Sequence, residues 1–190
     1  MTSDFFETNN YFVDKKDSFQ EHYNVYNDKR ERIGRIKQKL TILQKVLRVT
    51  LNKTWLPFCV EIRSANGGLE ASILKKGIFS KAEIIVQDAS GKKIGIISNK
   101  SKNFKPKFKI LNNANQVIAE IGDVWKKSNF IIIDSLENQI GSIDKKWTGA
   151  MKNVVRSKNS YNVSINVKYS NIEEKVAILS SAIVINMFLN

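Results

Sequence analysis

The 190-residue sequence is poor in the side chains that conventional active sites use. There is one histidine, His22, and one cysteine, Cys59. A single histidine excludes a histidine cluster on a metal and argues against a histidine-based catalytic triad. A single cysteine excludes an intrachain disulfide, and its place in the apolar run Leu56 to Val60 reads as an inert core thiol in a reducing compartment. Pro57 and Pro106 are the only prolines, and no stretch rich in Gly, Pro or Ser marks a linker, so the chain reads as one domain able to bury its own core. No Cys/His spacing suits zinc, no Gly-rich phosphate loop precedes a helix, and carboxylates such as Glu61, Glu83, Asp123 and Asp134 are scattered rather than paired. Residues 1–10 show neither a basic stretch followed by an apolar one nor a Met-Gly acylation signal. The expectation is a protein that is not an enzyme, uses no cofactor and works in the cytoplasm or on the cytoplasmic, inner face of a membrane.

Acidic residues are also scarce relative to basic ones. Lys and Arg number 31 against 18 Asp and Glu, a net charge of +13. Such an excess selects polyanionic partners, of which anionic lipid surfaces and nucleic acids are the two broad classes; solubility alone is the bland alternative. Nucleic acid rests on net charge only, since no helix-turn-helix, RNP or basic-helix signature is present. The lipid reading has more to draw on. Lys92, Lys93, Lys100, Lys102, Lys105, Lys107 and Lys109 cluster around Phe104 and Phe108, and Trp125-Lys126-Lys127 and Lys145-Lys146-Trp147 set an indole beside ammonium groups. Lysines on one loop edge would meet phosphates while aromatic rings sit at headgroup level. The competing reading makes the tryptophans strand ends facing the core and the lysines a solvated exterior.

Long apolar runs are absent except at the end. Eleven of the fourteen residues from Val176 to Leu189 are apolar, broken by Ser180, Ser181 and Asn186. As a helix this stretch is about 21 Å long, short of the roughly 30 Å core of a bilayer, and it reads as a buried core helix. A strand remains open, because periodicity cannot type a continuous apolar run.

The body of the chain repeats. Ile33-Gly34-Arg35-Ile36, Ile94-Gly95-Ile96-Ile97, Ile118-Ala119-Glu120-Ile121 and Ile140-Gly141-Ser142-Ile143 share one signature, and Asn27, Asp88, Asn112 and Asp134 each stand six residues ahead of it. An Asx residue starts a turn by bonding its own backbone, and the small residue lets the returning strand bend or approach a neighbour. Ser64 followed by Glu70-Ala71-Ser72-Ile73, with Asn66-Gly67-Gly68 as the turn, is a weaker fifth copy. Five hairpins, the alternating stretch Tyr161 to Tyr169 and one strand near the N-terminus give about twelve antiparallel strands, which must close or split to hide their edges. The predicted fold is mainly β: a closed antiparallel barrel of about twelve strands around the hydrophobic C-terminal helix. Residues 1–20 are expected as a loose N-terminal arm, and 21–190 as the barrel with a helix over about 174–189. Leu40 to Leu51 has helical spacing and reads as a short helix or irregular crossover.

This plan resembles the Tubby-like fold of phospholipid scramblases and the LURP-one-related proteins. The segment from Ile140 through Lys145, Lys146 and Trp147 to Gly149 looks like the family's Ile-Gly hairpin leading into a basic-Trp-x-Gly motif, and Ser180 to Leu189 resembles its terminal helix. The resemblance covers Tyr23 to the end and looks like a minimal, barrel-only member. It implies binding to anionic phospholipid membranes, with energy-independent, bidirectional movement of phospholipid between leaflets; the alternative it leaves is a non-catalytic module binding anionic lipid or phosphoinositide. Where the family's proposed calcium site uses Asp residues, this sequence reads Ser157, Asn159, Lys168 and Ser170. Calcium requires charged carboxylates among its oxygens, so calcium dependence is not expected.

Overall fold

A computed structural model describes residues 4–16, 21–42, 44–45, 56–77, 83–99, 107–123, 129–144, 160–166 and 171–189. The repeat begins with turn chemistry. Asp88 Oδ1 accepts the backbone N–H groups of Ser90 (2.9 Å) and Lys92 (3.0 Å), and Asp134 Oδ1 those of Leu136 (2.8 Å) and Asn138 (2.9 Å). Asn112 holds Ala114 and Gln116 in the same way, and Asn27 holds Glu31. In the weaker copy Asn66 takes over, accepting from the Gly68 N–H and the Ser64 hydroxyl. Three residues after the turn-starting position the backbone is left-handed each time, at Arg30, Gly67, Gly91, Asn115 and Glu137.

These turns pair twelve strands: β1 (Asn10–Lys15), β2 (His22–Tyr26), β3 (Arg32–Lys39), β4 (Phe58–Ser64), β5 (Leu69–Lys75), β6 (Ile84–Asp88), β7 (Lys93–Asn99), β8 (Lys107–Asn112), β9 (Val117–Asp123), β10 (Asn129–Ile133), β11 (Gln139–Asp144) and β12 (Tyr161–Ile165). Each is antiparallel to its sequence neighbours, and β1 pairs with β12, Tyr11 lying opposite Val163, so the sheet closes into the expected barrel without an edge. The loose arm expected over residues 1–20 is corrected at Asn10–Lys15: Tyr11 and Val13 alternate with the half-buried Asn10 and Phe12, point into the lumen and are fully buried, which makes β1 the strand that closes the barrel. Ahead of it, a 3-10 turn at Asp4–Phe6 lays Phe5 over Gly34 at the end of the barrel where the tight turns gather.

The signature itself is a β-bulge. In a regular strand the first and fourth residues of Ile-Gly-x-Ile would face opposite sides. Cross-strand pairing skips the first residue every time: Val86 faces Gly95 and Gln87 faces Lys93, passing over Ile94, and Ile33, Glu70, Ile118 and Ile140 are skipped likewise. The extra residue turns both isoleucines inward, so Ile94 and Ile97, and Ile140 and Ile143, are all buried. It also bends and twists the strand as barrel closure requires.

The C-terminal helix, α1 (Ile172–Leu189), fills the lumen and begins two residues earlier than expected. Asn171 Oδ1 accepts the Glu174 N–H, and Glu173 and Glu174 lie favourably at the positive end of the helix. Glu173 bonds Lys92 in the β6–β7 turn, while Asn186 reaches Tyr23 near the start of β2, so α1 runs from the turn end towards the opposite rim. It sits off-centre. Gly95 on β7 allows Ala177 to come within 3.0 Å of where a Cβ would stand, and the large side chains of Tyr11, Tyr23 and Tyr161 fill the other side.

Candidate functional site

The two ends of the barrel differ in construction. At the turn end Lys175 is 5% exposed, and its ammonium donates to Phe6 O (2.7 Å) and Asn9 Oδ1 (3.0 Å) and stands 5.9 Å from the centre of the Tyr11 ring. Burial lowers its pKa. This contact ties the 3-10 turn to the helix.

At the opposite rim, polar side chains surround the last turns of α1. The Tyr23 hydroxyl donates to Glu21 Oε2 and accepts from Asn186 Nδ2 at 3.2 Å, and Lys15 Nζ pairs with the same Glu21 oxygen at 3.0 Å. Beside them the Ser160 hydroxyl donates to Asp14 Oδ1 at 2.8 Å. Burial pushes the Tyr23 phenol far above its ordinary value, reinforced by Tyr161 and Glu21, and burial does the same to Tyr161. Both phenols stay neutral, and only that of Tyr23 makes hydrogen bonds among the described residues. The sequence reading missed this ring of Glu21, Tyr23 and Lys15. Its signal was Asn186 itself, an amide in an apolar helix that needs a buried partner.

The expected lysine patch divides. Lys92 and Lys93 belong to the turn end, where Lys92 Nζ lies 2.8 Å from Glu173 Oε1. Lys107 and Lys109 start β8 at the other rim and share one carboxylate, Lys107 Nζ at 2.8 Å from Glu120 Oε2 and Lys109 Nζ at 2.6 Å from Glu120 Oε1. Those bonds hold Glu120 below its ordinary value, the one from Lys107 contributing most. Because β7 rises from the turn and β8 returns to it, lysines close in sequence lie at opposite ends. Lys100, Lys102, Lys105, Trp125, Lys126, Lys127, Lys145, Lys146 and Trp147 lie outside the described residues, as do Ser157, Asn159, Lys168 and Ser170.

Ser180, Ser181 and Asn186 do not form one polar stripe. At about 100° per residue the serines lie roughly 120° and 140° around the helix from Asn186. They share the side of Ala177 and β7, with the Ser181 hydroxyl donating to Ile178 O at 2.6 Å. Small residues there serve close packing. Cys59, expected in the core, is half-buried on the outer side of β4, where burial raises its pKa. Its neighbours Val60 and Phe58 take the inward positions instead. His22 is half-buried, with its pKa lowered by burial and then by Lys37, Arg35 and Lys16.

Among the described residues no three His, Cys, Asp or Glu side chains are grouped to hold a metal ion, and no helix is long and apolar enough to cross a membrane. The arrangement offers a cationic exterior, a plugged lumen and a polar rim. Compared with known proteins, the Scramblase family model matches residues 5–189. No significant match is found among curated proteins or among solved structures.

Proposed function

This chain belongs to the Scramblase family, and from that premise we propose that it binds anionic phospholipid surfaces through the cationic exterior of its barrel while α1 stays in the lumen. The twelve-strand barrel around a C-terminal helix agrees with a Tubby-like placement. One observation carries the reading. Every residue from Val176 to Met187 is at most 6% exposed, so this stretch of the most apolar element is covered on all sides by its own barrel. Over those residues it has no apolar face left to offer a bilayer. What remains to meet a membrane is charge, +13 in total, and the anionic surface it fits is that of the cytoplasmic leaflet.

Co-sedimentation with neutral and with phosphatidylserine-containing vesicles over a salt series tests this. Binding confined to the anionic vesicles and weakening with salt is the expected result; equal binding to both would overturn it. A second reading, energy-independent movement of headgroups between leaflets, is favoured by the family match. Its test is exchange of a labelled headgroup lipid across vesicles reconstituted with the protein, with and without calcium, and absence of acceleration in both removes it.

A further inference from the structure

At the rim where Lys39 ends β3 and Lys75 ends β5, a cavity of about 390 Å3 opens between these strands and the start of β4. That volume falls in the range of sites for small molecules. One side is cationic. Lys39, Lys75 and Lys76 line it, Lys75 being only 2% exposed, and burial lowers its pKa. Lys39 also holds Glu61, which lies outside the lining: Lys39 Nζ meets Oε1, while Arg63 Nε and Nη2 both reach Oε2 at 2.9 Å. Two cations, Lys39 and Arg63, therefore hold Glu61, while Lys75 and Lys76 line the cavity from the end of β5. The other side is apolar, built from Leu40, Pro57 and Phe58.

The edge of the cavity is held in place. Thr41 and Gln44 cap a helical turn reciprocally, Gln44 Oε1 accepting the Thr41 N–H (2.9 Å) and Thr41 Oγ1 the Gln44 N–H (3.2 Å), while Gln44 Nε2 donates to Pro57 O at 3.2 Å. The turn so fixed carries Ile42, which is 83% exposed, more than any other large apolar side chain among the described residues. An isolated exposed isoleucine is ordinary. Here it is fixed beside a cavity with one cationic and one apolar wall.

We propose that this cavity is a phospholipid headgroup site: Lys39, Lys75 and Lys76 take the phosphate, Leu40, Pro57 and Phe58 face the glycerol and first methylenes, and Ile42 enters the bilayer surface beside it. The inference rests on the reading of the protein as a binder of anionic phospholipid and gives that reading a specific site. A soluble phosphate compound would satisfy the lysines but would have no use for Ile42.

Affinities for phosphatidylcholine vesicles with and without phosphatidylserine, measured for wild type, Lys39→Ala/Lys76→Ala, Lys75→Met, Ile42→Asn and Lys92→Ala/Lys93→Ala, test it. Two rim lysines at about fivefold each give a loss of about twenty-five-fold for the first double variant. Ile42→Asn is expected to weaken binding severalfold and Lys75→Met about fivefold, with the turn-end variant near wild type. Lys39, Lys76 and Ile42 are exposed, so these variants are expected to fold, and unchanged circular dichroism melting verifies it. If wild type binds anionic vesicles and the cavity variants bind equally well, the site is overturned and the surface reading stands. Loss in the lysine variants with none in Ile42→Asn would overturn the entry of Ile42 into the bilayer, and displacement of the bound vesicles by inorganic phosphate at constant ionic strength would overturn the lipid in favour of a soluble phosphate compound. A wild type that binds neither vesicle overturns both readings.

Discussion

Substituting Gly141 by alanine tests whether the small residue of the repeat is required by the neighbouring strand. Built on Gly141, a Cβ falls far inside the 3.0 Å limit from Ser164 O and 3.2 Å from Ile132 Cδ1. The Ser164 carbonyl belongs to the backbone of β12, which is paired with β11 at Ser142, so relief means moving a strand rather than a side-chain tip. Overpacking of this kind costs about 1–3 kcal/mol, and a clash with paired backbone belongs at the upper end. At about 2–4 °C per kcal/mol for a domain of this size, Gly141→Ala is expected to lower the melting temperature by about 6–12 °C. Gly122→Ala is the control. Nothing lies within 4 Å of its Cβ and its φ is not left-handed, so its melting temperature is expected within about 2 °C of wild type. Ala119 and Ala71 already hold the equivalent position in β9 and β5, fully buried without a glycine. Thermal unfolding by circular dichroism reads the series. A Gly141→Ala protein that melts with wild type would refute the close-approach argument and the register on which it rests.

Three further perturbations address other parts of the fold. Glu137 holds a left-handed φ of 64° in the β10–β11 turn, where its counterparts Gly67 and Gly91 are glycines, so Glu137→Gly is expected to stabilise by about 0.5–1 kcal/mol in denaturant titration. The lysine-bonded Glu120 has a folded pKa depressed below 4.5; its stabilising share is present above that value and lost as pH falls through the folded pKa. Acid titration of the melting temperature should accordingly be shallower below pH 4.5 in Glu120→Gln than in wild type, with less than about 1 kcal/mol separating the two at neutral pH. Lys175→Met leaves the Phe6 carbonyl and the Asn9 amide oxygen without their ammonium donor, and is expected to cost about 2 kcal/mol and to speed amide exchange around Phe6.

The parts of this fold that were legible are those set by local chemistry. The fixed distance from an Asx residue to a small one announces a hairpin, and Asp88 and Asp134 make those turn bonds with their own backbones. Twelve strands and an apolar segment too short to span a bilayer then leave few ways to hide edges and apolar surface. The bulge was not legible, because skipping Ile94 or Ile140 is a property of register between strands, and the sequence shows only two isoleucines at an awkward spacing. β1 was counted only as one strand near the N-terminus and not placed, because Tyr11 and Val13 form too short an alternation to stand out among scattered aromatics. The lysine patch erred in topology: Lys92, four residues after Asp88, belongs to a tight-turn end, whereas Lys107 opens a strand that returns from the opposite rim. The same point hid the cavity, whose lysines come from the ends of β3 and β5, far apart in the chain.

The central claim is that the basic exterior holds the membrane while α1 never leaves the barrel. Its most direct test is to bind the full-length protein to phosphatidylserine-containing vesicles, float them, and wash first with high salt and then with alkaline carbonate. Release by salt, with nothing left for the carbonate step, is the predicted result. Retention through both washes would contradict it, because only an apolar segment seated in the bilayer survives them, and α1 is the segment that could supply it.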